Sequence, residues 1–444
     1  MGIRLREKIG YGLGDTASSM LWKLFSVYLM FFYTDICGID AWVVGVLFLV
    51  TRIWDSLLDP VVGLLCDRTS SRWGTFRPWL LWGALPFGAL GVLTFYMPEW
   101  GTGGKVVYAT VTYSLMMIVY SSVNVPYAAL LGVMSADPHE RTVLAAFRMT
   151  FAAAGSMAVV LAVEALVKAF RPWAGPSASW TAAVAVVAAL AVVLFFVTFS
   201  TTRERVRPVR AERHPVLLSL REEGVGTAEI LAGAAVCLQV FNAFRESGTI
   251  YFFKYCVAGE TVGTVSFAGI ALTGSALFLA VGPFFNIAGI VLIPFAADRF
   301  GRRRTLVGTL LLTAVFSFAF YFVRQGGYSV LLLAQALISL SVGGVLPLLW
   351  AMSADTADYA ERRSGRRDTG LIFSSYSMAQ KMGWAVGSAA TAWILSLAGF
   401  EANAVQSPAA LTVIGCLQSV FPALAALGTC AFILFYPLAD SRPK

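Results

Sequence analysis

Residues 45–79 read GVLFLVTRIWDSLLDPVVGLLCDRTSSRWGTFRPW. The first part of this stretch is long and apolar enough to cross a bilayer as a helix, which takes about 20 residues. Yet Arg52, Asp55 and Asp59 fall near the middle of that crossing. At about 100° per helical residue the three lie within an arc of about 60°, so they form one charged stripe on an otherwise apolar helix. Each charge at the bilayer centre costs about 3 kcal/mol on insertion scales, and three approach ~10 kcal/mol. A helix that served stability alone would avoid that cost. Arg52 offsets one carboxylate and leaves the stripe net negative, which favours a cation. The competing reading is an internal salt bridge that only locks helices together. Ionisable groups inside membranes mark ion and solute pathways by default, and the stripe is read that way here.

The composition extends this reading to the whole chain. Of 444 residues, 58% are hydrophobic and only 13% charged, with a mean hydropathy of +0.73. Soluble domains carry about 25% charged residues. Apolar runs of membrane-crossing length recur throughout, near 9–34, 41–66, 78–98, 105–135, 143–170, 178–201, 226–257, 263–297, 304–323, 329–352, 373–398 and 408–437. The expected fold is therefore an all-α polytopic membrane protein with about twelve transmembrane helices.

The net charge of +8 does not point to nucleic acid, because the excess sits in short loops between spans. Arg4, Arg6 and Lys8 precede the first span; Arg68, Arg72 and Arg77 follow the second; Arg299, Arg302, Arg303 and Arg304 follow the eighth. Loops 35–40 and 399–407 hold no Lys or Arg. The positive-inside rule then places both termini and the central linker in the cytoplasm, with the chain in the inner membrane. Six scattered cysteines and two loop histidines have no metal-ligand or disulfide spacing. No cleavable signal peptide is evident. Without a Gly-rich phosphate loop after a strand or a soluble catalytic domain, an enzyme is not expected.

The chain also repeats itself. LLCDRTSSRWGTFRPW at 64–79 follows the second span, and PFAADRFGRRRTL at 294–306 follows the second span of the other half. Both carry Asp-Arg, then Gly, then a basic cluster. This predicts an N-terminal six-helix bundle over 1–201, a charged linker over 202–225 with Pro208 and Pro215, and a C-terminal six-helix bundle over 226–444. Two pseudo-symmetric halves joined by a cytoplasmic linker are the plan of the major facilitator superfamily, and the repeated turn resembles its signature loop.

Several stretches resemble a narrower family. GYGLGDTASS at 10–19, FFYTD at 31–35, LFLVTRIWDSLLDPVVG at 47–63, SRWGTFRPW at 71–79, NVPYAAL at 124–130, SADTADYAE at 353–361 and SYSMAQKMG at 375–383 look like the glycoside–pentoside–hexuronide:cation symporters. That family includes the melibiose permeases. The resemblance implies secondary transport of a sugar-like solute together with Na⁺ or H⁺, with no cofactor beyond the coupling ion. Carried over by position, it implies a cation site of Asp55 and Asp59, with Ser121 as hydroxyl ligand and Na⁺ as one occupant of the two carboxylates. It further implies that Lys381 links the two halves and that Tyr120, Asn124 and Arg148 face the solute. The melibiose permease has carboxylates where this chain has Ser19 and Asn124, so its galactoside grip does not carry over. Asp15, one turn before Ser19, is expected to take that role.

On the first span Asp15, Ser19, Trp22, Lys23 and Ser26 share one polar-aromatic face. Such a face offers a sugar a hydrogen-bonding edge and an aromatic plate, although Trp22 also suits packing or lipid contact. On the seventh span Arg245 and Glu246 point about 100° apart and do not pair with each other. Asp15 is a candidate partner for Arg245 and Lys381 for Glu246, and the sequence leaves both open. Asp355, Asp358 and Arg141 are expected at a cytoplasmic gate. Glu164, in a fifth span rich in small residues, has no assigned role. The expected function is cation-coupled symport of a sugar, glycoside, pentoside or hexuronide, the alternative being a lysolipid or lipid-like solute on the same fold. Since one chain holds both halves, a monomer suffices. Its partners are a small-molecule solute and the lipid bilayer, not nucleic acid.

Overall fold

The computed structural model describes residues 3–135, 137–205, 225–257, 265–267, 270–324, 326–364 and 369–437. Helix α1 (Leu5–Leu24) continues through two wider π-helical turns, Phe25–Leu29 and Phe32–Ile36. Then come α2 (Ala41–Arg68), α3 (Arg77–Thr94), α4 (Thr102–Met134) and α5 (Pro138–Thr201). The last is two helices meeting at Gly175, whose φ of 78° is open to glycine and strained for other residues. After α6 (Val225–Tyr251) and a π turn at Phe252–Cys256, two short strands pair, β1 (Val265–Phe267) and β2 (Ile270–Leu272). The chain ends with α7 (Gly274–Phe300), α8 (Arg302–Val323), α9 (Tyr328–Gly343), α10 (Val345–Ser364), α11 (Thr369–Leu397), α12 (Pro408–Gln418) and α13 (Val420–Leu434).

Taking α5 as two rods, and α9 with α10 and α12 with α13 as single bent rods, the described helices make up twelve, which fits the expected spans. Six of the described helices are long and apolar enough to cross a membrane by length and composition alone. One boundary needs correction. The eighth span was expected to start at 263, but the strand pair occupies its first residues and the helix begins at Gly274. Thr273 sets that start: its hydroxyl accepts from the Ala276 amide at 3.2 Å, as a helix cap does.

The chain divides into two compact units, one formed by Met1–Glu212 with Ser266–Ala276 and the other by Arg213–Val265 with Leu277–Lys444. In the first unit α1 lies along α5, α3 packs on α4 and α5, and α2 packs on α4. In the second, α6 lies along α11 and α13, and α8 packs on α9 and α13. The first helix of each half therefore pairs with the fifth, so the sequence repeat reappears as a repeated packing pattern.

Small residues make the α1–α5 contact close enough to build a site. A Cβ on Gly12 would stand 2.8 Å from the Phe151 ring, and one on Gly155 would stand 2.9 Å from the Thr16 carbonyl. Both positions exclude any larger residue unless the helices separate. Thr16 Oγ1 donates to the Phe151 carbonyl at 3.0 Å and fixes the register. This is how membrane helices associate without a hydrophobic driving force between them, through small residues and polar bonds.

The start of the linker folds back onto the first unit. The Glu204 carboxylate accepts from the amides of Thr75, Phe76 and Arg77 at 2.8, 2.8 and 2.9 Å, a negative charge at the N-terminus of α3. Arg205 grips Glu7 with two parallel bonds of 2.6 and 2.7 Å. These bonds to Glu7 hold the Arg205 guanidinium above its ordinary range.

Candidate functional site

The charged stripe of α2 lies against α4. Ser121 Oγ stands 2.6 Å from Asp55 Oδ1 and 2.7 Å from Asp59 Oδ1. Asp55 and Ser121 are each only 1% exposed, while Asp59 is half-buried. A hydroxyl carries a single proton and can donate to one of these oxygens. The Ser121 hydroxyl lies within hydrogen-bond distance of both carboxylates. The structure thus brings Asp55, Asp59 and Ser121 together.

Arg52, 3% exposed, sits on the same helix one turn before Asp55. Its guanidinium carbon lies 4.2 Å from the centre of the Trp22 ring and 6.0 Å from that of Tyr113. Trp22 in turn contacts Tyr120, ring centres 5.2 Å apart, and Tyr120 stacks on Phe87 at 6.0 Å. Trp22 stands just before the first π turn, where Ser26 Oγ donates to its carbonyl at 2.9 Å. π turns of this kind recur at functional positions in helices.

A second polar group lies between α1 and α5. Arg148 Nε donates to Asp15 Oδ2 at 2.9 Å, and the same guanidinium lies 5.2 Å from the Tyr127 ring centre. Tyr127 stacks on Tyr11 at 4.8 Å and donates to the Tyr11 carbonyl at 2.5 Å. Ser19 is half-buried one turn along α1 from Asp15. Asn124 donates one of its two amide hydrogens to the Tyr120 carbonyl on its own helix at 3.0 Å. Tyr113 and Tyr127 were not singled out from the sequence. The signal was present: 113, 120, 124 and 127 follow helical spacing on a single face of α4.

In the second unit Arg245 is 7% exposed. It donates to the Gln418 carbonyl at 2.8 Å and to Gln335 Oε1. That carbonyl is available because α12 ends at Gln418 and the chain bends at Ser419. Gln418 answers by donating to the Arg245 carbonyl at 2.8 Å. Within the first unit Asp15, the candidate partner left open for Arg245, pairs with Arg148, and within the second unit Arg245 bonds the end of the broken helix. Glu246 on α6 and Lys381 on α11 are half-buried. Asp355 and Asp358 fall on α10 and Arg141 on α5, but the side chains of this expected gate lie outside the described residues.

Glu164 acquires partners. Its carboxylate accepts from Tyr28 at 3.4 Å, from Ser275 at 2.8 and 2.9 Å, and from Thr273. Tyr28, Thr273 and Ser275 all belong to the first unit with Glu164. The carboxylate thus anchors the segment that leads into α7.

The described residues hold helices of membrane-crossing length in two compact units, and the first unit carries a buried charged cluster, the make-up of a polytopic membrane transporter. The chain belongs to the MFS/sugar transport protein family, whose model matches residues 10–440. It is 37% identical over 446 residues to the putative glycoside/cation symporter YagG of Escherichia coli (strain K12), covering 99% of this chain and 93% of the relative. It is 33% identical over 449 residues to the isoprimeverose transporter of Lactiplantibacillus pentosus, covering 99% and 90%. A crystal structure of a D-xylose–proton symporter superposes with a TM-score of 0.63 at 16% identity, covering 99% of this chain and 98% of that one, a likeness of fold alone.

Proposed function

We propose that this protein is a cation-coupled symporter of a sugar or glycoside, resident in the inner membrane with both termini cytoplasmic, and working by alternating access. The observation that carries the reading is the single hydroxyl of Ser121 shared by Asp55 and Asp59 at 2.6 and 2.7 Å. Two carboxylates around one proton form a site whose charge is completed by a coupling ion. An all-oxygen ligand set suits Na⁺, and the same carboxylates take a proton. On the solute side Asp15, Ser19, Asn124 and Arg148 offer hydrogen-bonding edges, and Trp22 and Tyr120 offer aromatic faces. The names of the relatives support sugars and glycosides as the solute class. One cation moving inward through about 100 mV releases about 2.3 kcal/mol, about fiftyfold accumulation at one-to-one coupling.

The test is uptake into proteoliposomes of isoprimeverose, a panel of xylosides and glucuronides, and lysolipids, under an imposed Na⁺ gradient or an acid exterior. Sugar accumulation driven by one of these gradients, lost in Asp59→Asn while exchange counterflow persists, is the expected result. Accumulation that survives Asp59→Asn overturns the cation assignment. A response to lysolipids with none to sugars moves the solute to the lipid-like class.

A further inference from the structure

The cation cluster and the aromatic plate are parts of one closed circuit of contacts. Asp55 and Asp59 meet Ser121 on α4. Ser121 follows Tyr120 in the chain, and the Tyr120 ring meets Trp22 of α1 at 5.2 Å. Trp22 meets the Arg52 guanidinium at 4.2 Å, and Arg52 returns along one turn of α2 to Asp55. Three helices are tied together, and the circuit as a whole joins the groups at the cation site to those beside the expected solute face.

We infer that Trp22, acting through Arg52, is a positioning residue that sets how tightly the Asp55–Ser121–Asp59 site holds its coupling cation. The inference rests on the cation reading above and adds a residue outside that ligand set. The physical basis is competition for the guanidinium. Arg52 is drawn by its carboxylate neighbours one turn away and by the π face of Trp22. Cation–π attraction is stronger in a desolvated setting than in an exposed one. The more the ring holds Arg52, the less its positive charge replaces the coupling cation at Asp55 and Asp59. Linkage makes the effect reciprocal: a cation at the carboxylates relieves their pull on Arg52, which settles on Trp22 and fixes the plate against which a solute packs.

The experiment is a thermal-shift titration of the purified full chain in detergent, without solute. One arm varies NaCl against choline chloride at pH 8. The other varies pH in choline chloride. Wild type is compared with Trp22→Leu, Trp22→Phe and Trp22→Tyr. If the inference holds, Trp22→Leu moves the midpoint for Na⁺, or for protons, to several-fold higher cation concentration, and the two aromatic variants restore most of the shift. A tryptophan that is only packing lowers the melting temperature equally at all cation concentrations and leaves the midpoint in place; that outcome overturns the inference and leaves the cation site standing. A wild-type protein that responds to neither Na⁺ nor protons overturns the cation reading itself and the inference with it. Should Trp22→Leu fail to fold, Trp22→Phe decides: its ring has a weaker face than indole, so a smaller shift in the same direction is required, and an unmoved midpoint refutes the role.

Discussion

Asp15 of α1 and Arg148 of α5 form an ion pair of 2.9 Å between helices that small residues bring unusually close. Both groups are only partly shielded, with side-chain exposures of 13% and 30%, so the pair is worth less than a fully buried one. Removing one partner leaves a charge facing a low-dielectric groove. We expect Asp15→Asn to lower stability by about 1–3 kcal/mol, and the double variant Asp15→Asn with Arg148→Gln to recover part of that loss. Thermal unfolding in detergent measures both. A single variant as stable as wild type would show that the pair does not hold α1 to α5.

Ser121 has no charge, yet it is the atom that both carboxylates share. Ser121→Ala removes a charge-assisted hydrogen bond from the two acidic groups. The coupling-cation midpoint is expected to weaken about tenfold, and Ser121→Thr, which keeps the hydroxyl, is expected to preserve it. The cation-dependent thermal shift reads the difference directly. Equal midpoints in Ser121→Ala and wild type would remove Ser121 from the ligand set.

Glu164 holds three hydroxyl groups, two of them at the entry to α7. Replacing the carboxylate by alanine strips those donors of a charged acceptor, at a cost of about 1–3 kcal/mol. The effect should be local as well as global. A cysteine placed at Ser275 should react faster with maleimide in the Glu164→Ala background than in wild type. Unchanged labelling and unchanged melting would show that the segment is held by other contacts.

Cys37 lies in the turn after the first rod, 5% exposed, and its carbonyl accepts from Lys105 Nζ at 2.9 Å. Burial pushes its thiol up to about 12, against the opposing pull of the Lys105 charge. The thiolate is the reactive form, and a raised value keeps the neutral thiol through the ordinary pH range. Maleimide at pH 7–8 should therefore leave Cys37 unmodified in the folded protein and modify it after denaturation. Rapid labelling of the native state would contradict the burial.

Much of the fold was legible because hydropathy and charge are local. A run of apolar residues predicts a span, and arginines between runs predict sidedness, with no knowledge of what packs on what. The Arg52, Asp55 and Asp59 stripe was legible for the same reason, since helical spacing alone places three positions on one face. The identity of partners across helices was not. Arg245 looked like a counter-charge for Asp15 because both are ionisable and in spans; the structure gives it instead a carbonyl freed by the bend at Ser419, which no pattern in the sequence marks as a break.

The sequence by itself determined that this is a polytopic helical membrane protein of two repeated halves with a net-negative charged stripe in its second span, because each of those properties follows from residues near one another in the chain. Only the tertiary structure decided that Ser121 bridges both carboxylates, that Trp22 sits over Arg52, that Asp15 belongs to Arg148 and that Glu164 holds the start of α7. Those pairings depend on how closely helices approach and how they are rotated. Such quantities are set by glycines and side-chain volumes at contacts between residues far apart in the chain, 133 positions for Asp15 and Arg148.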